Sequence, residues 1–411
     1  MQIFLTFSPD PPEESVTINW HYKTLADDGY FNSTVCNKRL VGYFNGKNPN
    51  YAFTHVTGLA LTHAIYLTLP FQKDGSIDLE QLKSEDNSGS FAEFLLKVKT
   101  FDHVISMVSI GENNEDSSRN FSSLASDPVK RIKFIDSVAT IIRIFDLRGV
   151  DINWQHFYLP EMENNDKENY ITLLKELRQV FNEIEKKDED ERKLSISIVG
   201  PADASEIDSG LDLPQLLKYA DWVNVNLLVE DEKVLPLYPA NVSQTNPGRN
   251  NADWVLRYYT CKAKEFGPYK INMAVAFQES HSNQSLLSLR ERASYTADKN
   301  LGGFSVFGID KFKSRNYTQL EIIRDTNLCK VDINERKFKC YDSGIQRWLP
   351  IGKEAPKCGD SAPKVNGFPA VCNPYDPDFG CCGGTGICGS GSGFCNCSSC
   401  VDYYNFPEKI V

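Results

Sequence analysis

Short apolar runs rich in β-branched residues alternate with amphipathic helical patterns from residue 38 to about residue 325, and this alternation constrains the fold more than any other feature of the chain. Such alternation is typical of a parallel sheet whose strands are connected by helices that pack on its outer face. Eight runs are the number that a closed (β/α)₈ barrel requires. The predicted strands are Arg39–Phe44, Thr62–Leu69, His103–Ile110, Gly149–Trp154, Leu194–Val199, Trp222–Leu228, Ile271–Phe277 and Gly303–Gly308.

The segments between these strands have the features of helices that lie on a barrel. Asp127 followed by Pro128 predicts a helix start, because Asp is a good capping residue and Pro suits the first helical position. After Glu168, apolar residues recur at spacings of three and four, which places them on one face of a helix. A third helix is predicted from Asp253 to Phe266, with Gly267 as its terminating C′ glycine.

The charge of the chain argues against some classes of partner. Its net charge of −11 and isoelectric point near 5.2 disfavour nucleic acids and anionic membrane surfaces, which both attract basic proteins. No apolar stretch approaches the length of about 18 residues that a membrane span needs. Met1–Phe7 is apolar but lacks the basic region and cleavage site of a secretory signal, so we expect the N-terminus to be incomplete or a signal to have been removed.

Twelve cysteines are present, and eight of them lie between Cys358 and Cys400. This crowding predicts a disulfide framework formed in an oxidising compartment, and hence a secreted protein. Zinc binding is a weaker alternative, because the six histidines are scattered and no pair of CxxC motifs has a finger-like spacing. We predict neither a metal nor any other cofactor. The N-glycosylation sequons, which also favour secretion, begin at Asn32, Asn120, Asn241, Asn283, Asn316 and Asn396.

The cysteines also help to divide the chain after the barrel. Cys329 and Cys340 flank a polar turn between alternating residues, which predicts a small hairpin closed by a disulfide. Cys36 and Cys261 remain as candidates for a further pair, although a sequence cannot prove connectivity. The predicted divisions are an N-terminal extension (1–37), a barrel (38–325), a connector hairpin (326–357) and a cysteine-rich module (358–404), whose cysteines are Cys358, Cys372, Cys381, Cys382, Cys388, Cys395, Cys397 and Cys400.

The segment from Arg148 to Gln155, RGVDINWQ, forms the predicted fourth strand and its C-terminal end. It resembles DGxDxDWE, the signature of the family 18 glycoside hydrolases, and the resemblance covers roughly residues 38–325. The resemblance implies that the final Glu protonates the leaving oxygen while the N-acetyl carbonyl of the sugar attacks the anomeric carbon. The Asp two residues earlier stabilises the resulting cation. This route is an exception to the usual scheme with two catalytic carboxylates.

Three of the four acidic positions in that signature are changed. Arg148, Asn153 and Gln155 stand where the resemblance implies acids, and only Asp151 is retained. Alternate residues on a strand share one face, so Asp151, Asn153 and Gln155 are predicted to point into the barrel mouth. A general acid must lose and regain a proton near the working pH, and a carboxamide has no such proton. We therefore predict no catalytic residue and no chitinase activity.

Other positions of the resemblance have also changed. The strand-six cluster that holds the N-acetyl group is missing from the aligned residues Asn226 to Val229, and Phe307 stands where a sugar-stacking Trp is usual. A Phe ring can still stack on a sugar, over a smaller area. Two alternatives stay open. The inward amides could merely form a satisfied polar plug. Another acid near a strand end could take over catalysis, the candidates being Glu112, Glu161 and Glu230.

The cysteine order of the tail resembles the hevein-like chitin-binding modules, because adjacent Cys381 and Cys382 are followed at matching spacings by Cys388 and Cys395. These modules bind N-acetylglucosamine through a serine and three aromatic residues. The matching positions here are Gly383, Thr385, Ile387 and Phe394. Only Phe394 keeps an aromatic face, so the resemblance implies weak sugar binding. The alternative is a folded spacer without a ligand.

The leading hypothesis is a catalytically inactive chitinase-like protein that binds chitin or N-acetylglucosamine-bearing glycans weakly. One alternative is a protein–protein interaction scaffold without glycan binding, and the other is a chitinase-type hydrolase with a relocated catalytic acid. The predicted ligand-binding residues are Asp151, Asn153, Trp154, Gln155, Phe307 and Phe394.

Overall fold

The computed structural model describes the chain in several stretches. They are residues 38–45, 58, 60–77, 85–157, 159, 165–188, 192–229, 233–238, 251–276, 283–309, 318–326, 328, 347–349, 354–365, 367–374, 376 and 378–405. The elements in chain order are β1 (Arg39–Asn45), β2 (His63–Leu69), α1 (Glu85–Val98), β3 (Ile105–Ile110), α2 (Glu115–Ser126), α3 (Pro128–Phe145), β4 (Gly149–Ile152), α4 (Asp166–Glu185), β5 (Ser195–Gly200), α5 (Ala204–Gly210), α6 (Leu213–Leu216), β6 (Trp222–Asn226), β7 (Leu228–Val229), β8 (Lys233–Val234), α7 (Ala252–Lys262), a 3₁₀ turn (Lys264–Phe266), β9 (Ile271–Ala276), α8 (Asn283–Asp298), β10 (Gly303–Phe307), α9 (Thr318–Asp325), β11 (Cys381–Cys382), β12 (Cys388–Gly389), α10 (Ser392–Cys395) and β13 (Val401–Asp402).

Eight of these strands close into a barrel in the order β1–β10–β9–β6–β5–β4–β3–β2, so the predicted (β/α)₈ barrel is confirmed. β1 pairs in parallel with both β2 and β10, which closes the ring. The two short strands β7 and β8 form a separate antiparallel pair in the connection between β6 and β9. In a closed parallel barrel the carboxyl ends of all strands meet at one mouth, where ligand sites are built.

Apolar residues form two buried layers, one outside the strands and one inside the barrel. The larger cluster lies between the outward faces of the strands and the helices, and Leu173 and Leu177 of α4 belong to it. A smaller cluster fills the barrel interior and consists of Val41, Tyr43, Ile65, Met107 and Trp222. Burial of about 25 cal/mol for each Å² of apolar surface stabilises both layers, and the interior is therefore a packed core and not a channel.

The ends of several elements differ from the predictions. β4 ends at Ile152, two residues earlier than predicted, and β6 ends at Asn226. Leu228, predicted as the last residue of that sixth strand, instead begins β7. Phe277, predicted to end the seventh strand of the barrel, lies outside the described residues.

The helix starts follow their sequence signals more closely than the helix ends do. The side chain of Asp127 accepts hydrogen bonds from the backbone N–H groups of Val129 and Lys130, which confirms the predicted cap of α3. α7 ends at Lys262 and continues only as a 3₁₀ turn, and Gly267 has φ −91°, so it is not the left-handed C′ glycine that was predicted. Gly267 is needed for a different reason: a Cβ there would lie 2.3 Å from the carbonyl oxygen of Thr260.

Disulfides hold the C-terminal module together around the three-stranded sheet β12–β11–β13. The first cysteine pairs with the fourth, the second with the fifth, the third with the sixth and the seventh with the eighth. The bonds are Cys358–Cys382, Cys372–Cys388, Cys381–Cys395 and Cys397–Cys400. A disulfide typically stabilises a small domain by about 2–4 kcal/mol, which compensates for a small apolar core.

The remaining cysteine predictions fall at the edge of what the structure describes. Cys261 on α7 is disulfide-bonded, and its predicted partner Cys36 lies outside the described residues. Cys329 and Cys340, the predicted hairpin pair, also lie outside them. Among the described helices, none is both long enough and apolar enough to cross a membrane.

Candidate functional site

Asp151 lies on the inner face of β4 and is completely buried. Its register neighbours are Ser109 on β3 and Ser197 on β5. The Ser109 hydroxyl donates to Oδ2 at 2.8 Å, and the Ser197 hydroxyl donates to Oδ1 at 2.5 Å. Burial raises the pKa of Asp151, although the hydrogen bonds from the two serines, Tyr43 and Asn224 oppose the rise. The carboxyl is thus held by neighbours on both sides and directed into the barrel interior.

Tyr43 and Asn224 connect Asp151 to the opposite wall of the barrel. Asn224 on β6 donates from Nδ2 to the Tyr43 hydroxyl at 2.7 Å and to Asp151 Oδ1 at 3.3 Å. Its own Oδ1 accepts a hydrogen bond from the Ser305 hydroxyl at 2.7 Å. Burial and the nearby charge of Asp151 raise the pKa of Tyr43, so this phenol keeps its proton at neutral pH.

Gln155 lies just beyond β4, above Asp151 on the same inward row, and is 3% exposed. Its Nε2 donates to Asn153 Oδ1 at 2.7 Å, and its Oε1 accepts from Asn226 Nδ2 at 3.3 Å. All three amides are buried, so the barrel mouth is lined at this point by carboxamides and not by carboxylates. No member of this chain of amides can release a proton near neutral pH.

The backbone around Gln155 is fixed by groups that the sequence analysis did not single out. Its carbonyl oxygen accepts a hydrogen bond from the buried Ser118 hydroxyl of α2. The next residue, His156, has a left-handed φ of 59°, and Glu206 Oε2 accepts a hydrogen bond from its backbone N–H at 3.2 Å. Glu206 Oε1 also lies 3.7 Å from His156 Nδ1. Burial raises the pKa of Glu206, and the contact with His156 opposes that rise.

Phe307 stands at the C-terminal end of β10 and is half-buried. Its ring stacks on Tyr43, with ring centroids 4.3 Å apart and an interplanar angle of 26°. Since Tyr43 also bonds Asn224, the Phe307 ring belongs to the same assembly as Asp151. The mouth therefore combines an aromatic face with buried amides and a buried carboxyl.

A comparison with known protein families agrees with this geometry. The model of the glycosyl hydrolases family 18 matches residues 39–300, which is nearly the whole barrel. The chain belongs to family 18.

Relatives of this family 18 chain include probable chitinase 2 of Drosophila melanogaster, which is 28% identical over 196 residues. That match covers 46% of this chain and 39% of the relative. A second relative, endochitinase 1 of Metarhizium anisopliae, is 23% identical over 59% of this chain and 58% of its own length. The chain thus spans less than two thirds of the curated relatives that it matches.

Solved structures share the family 18 fold. The Group IV chitinase of Ostrinia furnacalis superposes with a TM-score of 0.58 at 17% identity, covering 71% of this chain and 100% of that one. YKL-39, solved in the presence of chitooligosaccharides, superposes with a TM-score of 0.56 at 15% identity, again covering 71% and 100%. At these identities the likeness concerns the fold.

Two predicted residues of the family 18 motif lie away from the barrel mouth. Trp154 follows β4 and points outward, completely buried, with its ring centroid 5.5 Å from that of Phe121 and 4.8 Å from that of Tyr170. The structure therefore does not bring this predicted ligand-binding residue together with the others at the mouth, because outward residues of a barrel pack under the helices. Arg148 precedes β4 and so lies at the N-terminal end of the barrel.

Phe394 belongs to the C-terminal module and is half-buried. A Cβ at Gly389 would lie 2.6 Å from its ring, and a Cβ at Gly383 would lie 2.9 Å from it. The two glycines thus leave room for the ring. Of the predicted glycosylation acceptors, Asn396 is exposed and Asn120 is half-buried on α2, whereas the side chain of Asn283 and all of Asn32, Asn241 and Asn316 lie outside the described residues.

Two clusters in the C-terminal module bring metal-ligating residue types together. The first consists of Cys358, Cys372 and Cys382, and the second of Cys381, Cys395 and Asp402. All of these cysteines form disulfides, so their sulfur atoms cannot act as thiolate ligands.

Sequence reasoning missed the residues on neighbouring strands that hold the site. Ser197 and Asn224 stand at alternating positions of predicted strands, and that alternation was the only signal that they face inward. Glu206 follows Asp203 at the spacing of a helix capping box, so its sequence context indicates a helix start and not a site.

Proposed function

We propose that this chain is a non-catalytic member of family 18 that binds chitin or N-acetylglucosamine-bearing glycans at the mouth of its barrel. The proposal depends on the amide of Gln155, which stands where the family signature implies the proton donor and is hydrogen-bonded on both sides by other amides. Proton transfer to a glycosidic oxygen requires a group that titrates near the working pH. Gln155 has none.

The described carboxylates are poor substitutes for a relocated acid. Asp151 is completely buried and is bonded by two serines, and Glu206 is engaged with His156. Glu112 is exposed on the loop after β3, where its Oε2 accepts from Asn114 Nδ2 at 2.8 Å. The other two candidates from the sequence, Glu161 and Glu230, lie outside the described residues.

The same groups that cannot catalyse are suited to binding a sugar. Gln155 uses one N–H on Asn153, and its second N–H has no partner within the described part of the chain. Sugar hydroxyl and glycosidic oxygens accept such hydrogen bonds, and the half-buried ring of Phe307 offers a face for stacking. A similar structure, YKL-39, was solved in the presence of chitooligosaccharides, which supports this class of ligand.

We extend the proposal to the C-terminal module, which would bind the same sugars through Phe394 as a hevein-like module. The compact disulfide framework and the two glycines beneath the ring support this assignment. The four disulfides described in this module and its exposed sequon at Asn396 also support a secreted glycoprotein, since such bonds form in oxidising compartments.

Depletion of the full chain from solution by chitin beads tests the proposal, with hydrolysis of a chitin oligomer followed in the same tubes. Phe307→Ala and Phe394→Ala separate the two candidate sites. Phe368→Ala, which removes an exposed aromatic residue elsewhere in the module, is the matched control. We expect depletion without product, weakened by one or both of the first two substitutions. Product formation would refute the absence of catalysis, and no depletion would refute glycan binding.

An exposed apolar strip favours a second candidate function, a scaffold for protein–protein interaction. Val129 and Ile132 on α3 are 74% and 60% exposed. Ile132 and Ile135 also line a groove of about 1100 Å³ between α3 and α4. Large exposed apolar residues on one face are typical of interaction surfaces. Failure of chitin beads to deplete the folded protein would favour this candidate.

A further inference from the structure

The N-terminal end of the barrel, opposite the proposed sugar site, contains an unusual arrangement of cations. Arg39 at the start of β1 donates from Nε to Asn272 Oδ1 at 3.1 Å and from Nη2 to the Tyr269 carbonyl at 2.6 Å. Its guanidinium also lies 5.1 Å from the centre of the Trp222 ring. None of these contacts neutralises its charge, because all of them involve uncharged groups.

His63 of β2 lies at the same N-terminal end of the barrel, with its ring centroid 4.8 Å from that of Trp222. Burial, together with the smaller effects of the charges on Arg39 and Arg148, lowers the pKa of His63 to about 3. Arg148 precedes β4 at the same end of the barrel, where its backbone N–H donates to the Ser106 carbonyl of β3 at 2.7 Å, one residue beyond the Ile105 that pairs with His63. The imidazole remains neutral and adds no positive charge of its own to this end of the barrel.

Arg148 differs from the other partly buried arginines of the barrel because its side chain forms no hydrogen bond or ion pair with any described residue. Its Nε is buried and lacks a partner. By contrast, Arg131 pairs with Glu176 at 2.9 Å, and Arg178 pairs with Asp221 at 2.6 Å. A buried donor without a partner is costly, and a partly buried cation without a counter-charge is more so.

Asp221, the carboxylate whose charge acts on Arg39, is already engaged by other groups. Asp221 Oδ2 accepts hydrogen bonds from Arg178 Nη2 and, at 2.8 Å, from the backbone N–H of Ile196. Lys270, which adds another positive charge, is bonded to backbone carbonyls, at 2.7 Å to that of Leu217. Among the described residues, the N-terminal end of the barrel thus has more basic than acidic side chains, although the chain as a whole has a net charge of −11. Charges on the distant acidic surface are screened beyond about 8 Å at physiological salt.

We propose that this end of the barrel binds an oxyanion, a sulfate or phosphate group, with Arg148 as its main ligand and with the positive charge of Arg39 contributing from the start of β1. A guanidinium presents paired N–H donors that match two oxygens of such a group, and this geometry favours oxyanions over chloride. The group can come as a free ion or as a substituent of a sulfated or phosphorylated sugar.

Titration calorimetry on the full chain tests the site with sodium sulfate and, separately, with N-acetylglucosamine 6-sulfate, each against sodium chloride at equal ionic strength. We expect saturable sulfate binding by the wild type, weakened at least tenfold in Arg148→Gln and unchanged in Arg290→Gln, which removes an exposed arginine of α8. Tighter binding of the sugar sulfate than of the free ion would identify a glycan substituent as the source, and equal binding would identify the free ion.

A conservative variant keeps the test decisive if Arg148→Gln does not fold. Arg148→Lys retains the charge but loses the paired donors, so we expect an intermediate affinity. Equal affinity in the wild type and Arg148→Lys, or no saturable binding by the wild type, would overturn the proposal. Because unsubstituted chitin carries no anion, depletion by chitin beads reports on the barrel mouth alone and fails or succeeds independently.

Discussion

Replacing Gln155 by Glu is the sharpest test of how the barrel mouth is built. Gln155 Nε2 donates to Asn153 Oδ1 at 2.7 Å, so an ionised carboxylate in its place would bring two acceptors into contact at a position that is 3% exposed. Leaving a buried acceptor unsatisfied costs about 1–3 kcal/mol. Burial would also raise the pKa of the introduced carboxyl, and this adds to the cost at neutral pH.

We therefore expect Gln155→Glu to lower the free energy of unfolding by about 2–3 kcal/mol at pH 7.5. A carboxyl whose folded pKa is raised favours the protonated form, so the loss should shrink as the pH falls through that pKa. It should vanish near pH 4, because the carboxyl is then largely protonated in the unfolded chain as well. In its protonated form, the introduced carboxyl would restore the donor to Asn153.

Urea unfolding at pH 4 and pH 7.5 measures this difference, with Gln179→Glu on the exposed face of α4 as the matched control. The control should change stability by less than about 0.5 kcal/mol at both pH values. A Gln155→Glu variant as stable as the wild type at pH 7.5 would refute the buried amide chain.

Three further predictions depend on the same contacts. Trp154→Ala should cost about 3–5 kcal/mol in urea unfolding, because the ring is completely buried under the helices, whereas a small loss together with weaker chitin binding would contradict its placement. Since burial raises the pKa of Asp151, wild-type stability relative to Asp151→Asn should fall as the pH rises above about 4, and a flat difference would be the contrary result. Gly389→Ala should displace the Phe394 ring, because the nearest ring atoms would lie 2.6 Å from the new Cβ. We expect the module to lose about 1–3 kcal/mol of stability, detected as faster proteolysis of residues 358–404. Protection equal to that of the wild type would show that the ring does not pack against Gly389.

The amides of the barrel mouth give it a different electrostatic character from that of a row of carboxylates. In the described part of the mouth, Asp151 is the one acid on the inward row of β4, and it is held by Ser109 and Ser197. Carboxylates on this row would repel one another and shift each other's pKa values. The amides bond one another without that cost, and the result is a stable polar surface.

Much of the fold could be predicted from local sequence. The alternation of strands and helices can be predicted from short stretches of sequence, because the apolar periodicity of each element depends on which of its faces is buried. The cap of α3 at Asp127 could likewise be predicted from sequence, since capping depends on residues two or three positions away. The end of α7 could not be predicted in this way. Gly267 is required there because the Thr260 carbonyl approaches it closely, and only the folded chain brings the two together.

The sequence by itself determined that a carboxamide, Gln155, stands where the resemblance to the family signature implies a Glu, because the residue is a carboxamide in any fold. Only the tertiary structure decided which groups surround that carboxamide and the neighbouring Asp151. Ser197 and Asn226 reach Asp151 and Gln155 from other strands. Such contacts join residues far apart in the chain, and they depend on the register with which the barrel closes, which no local pattern records.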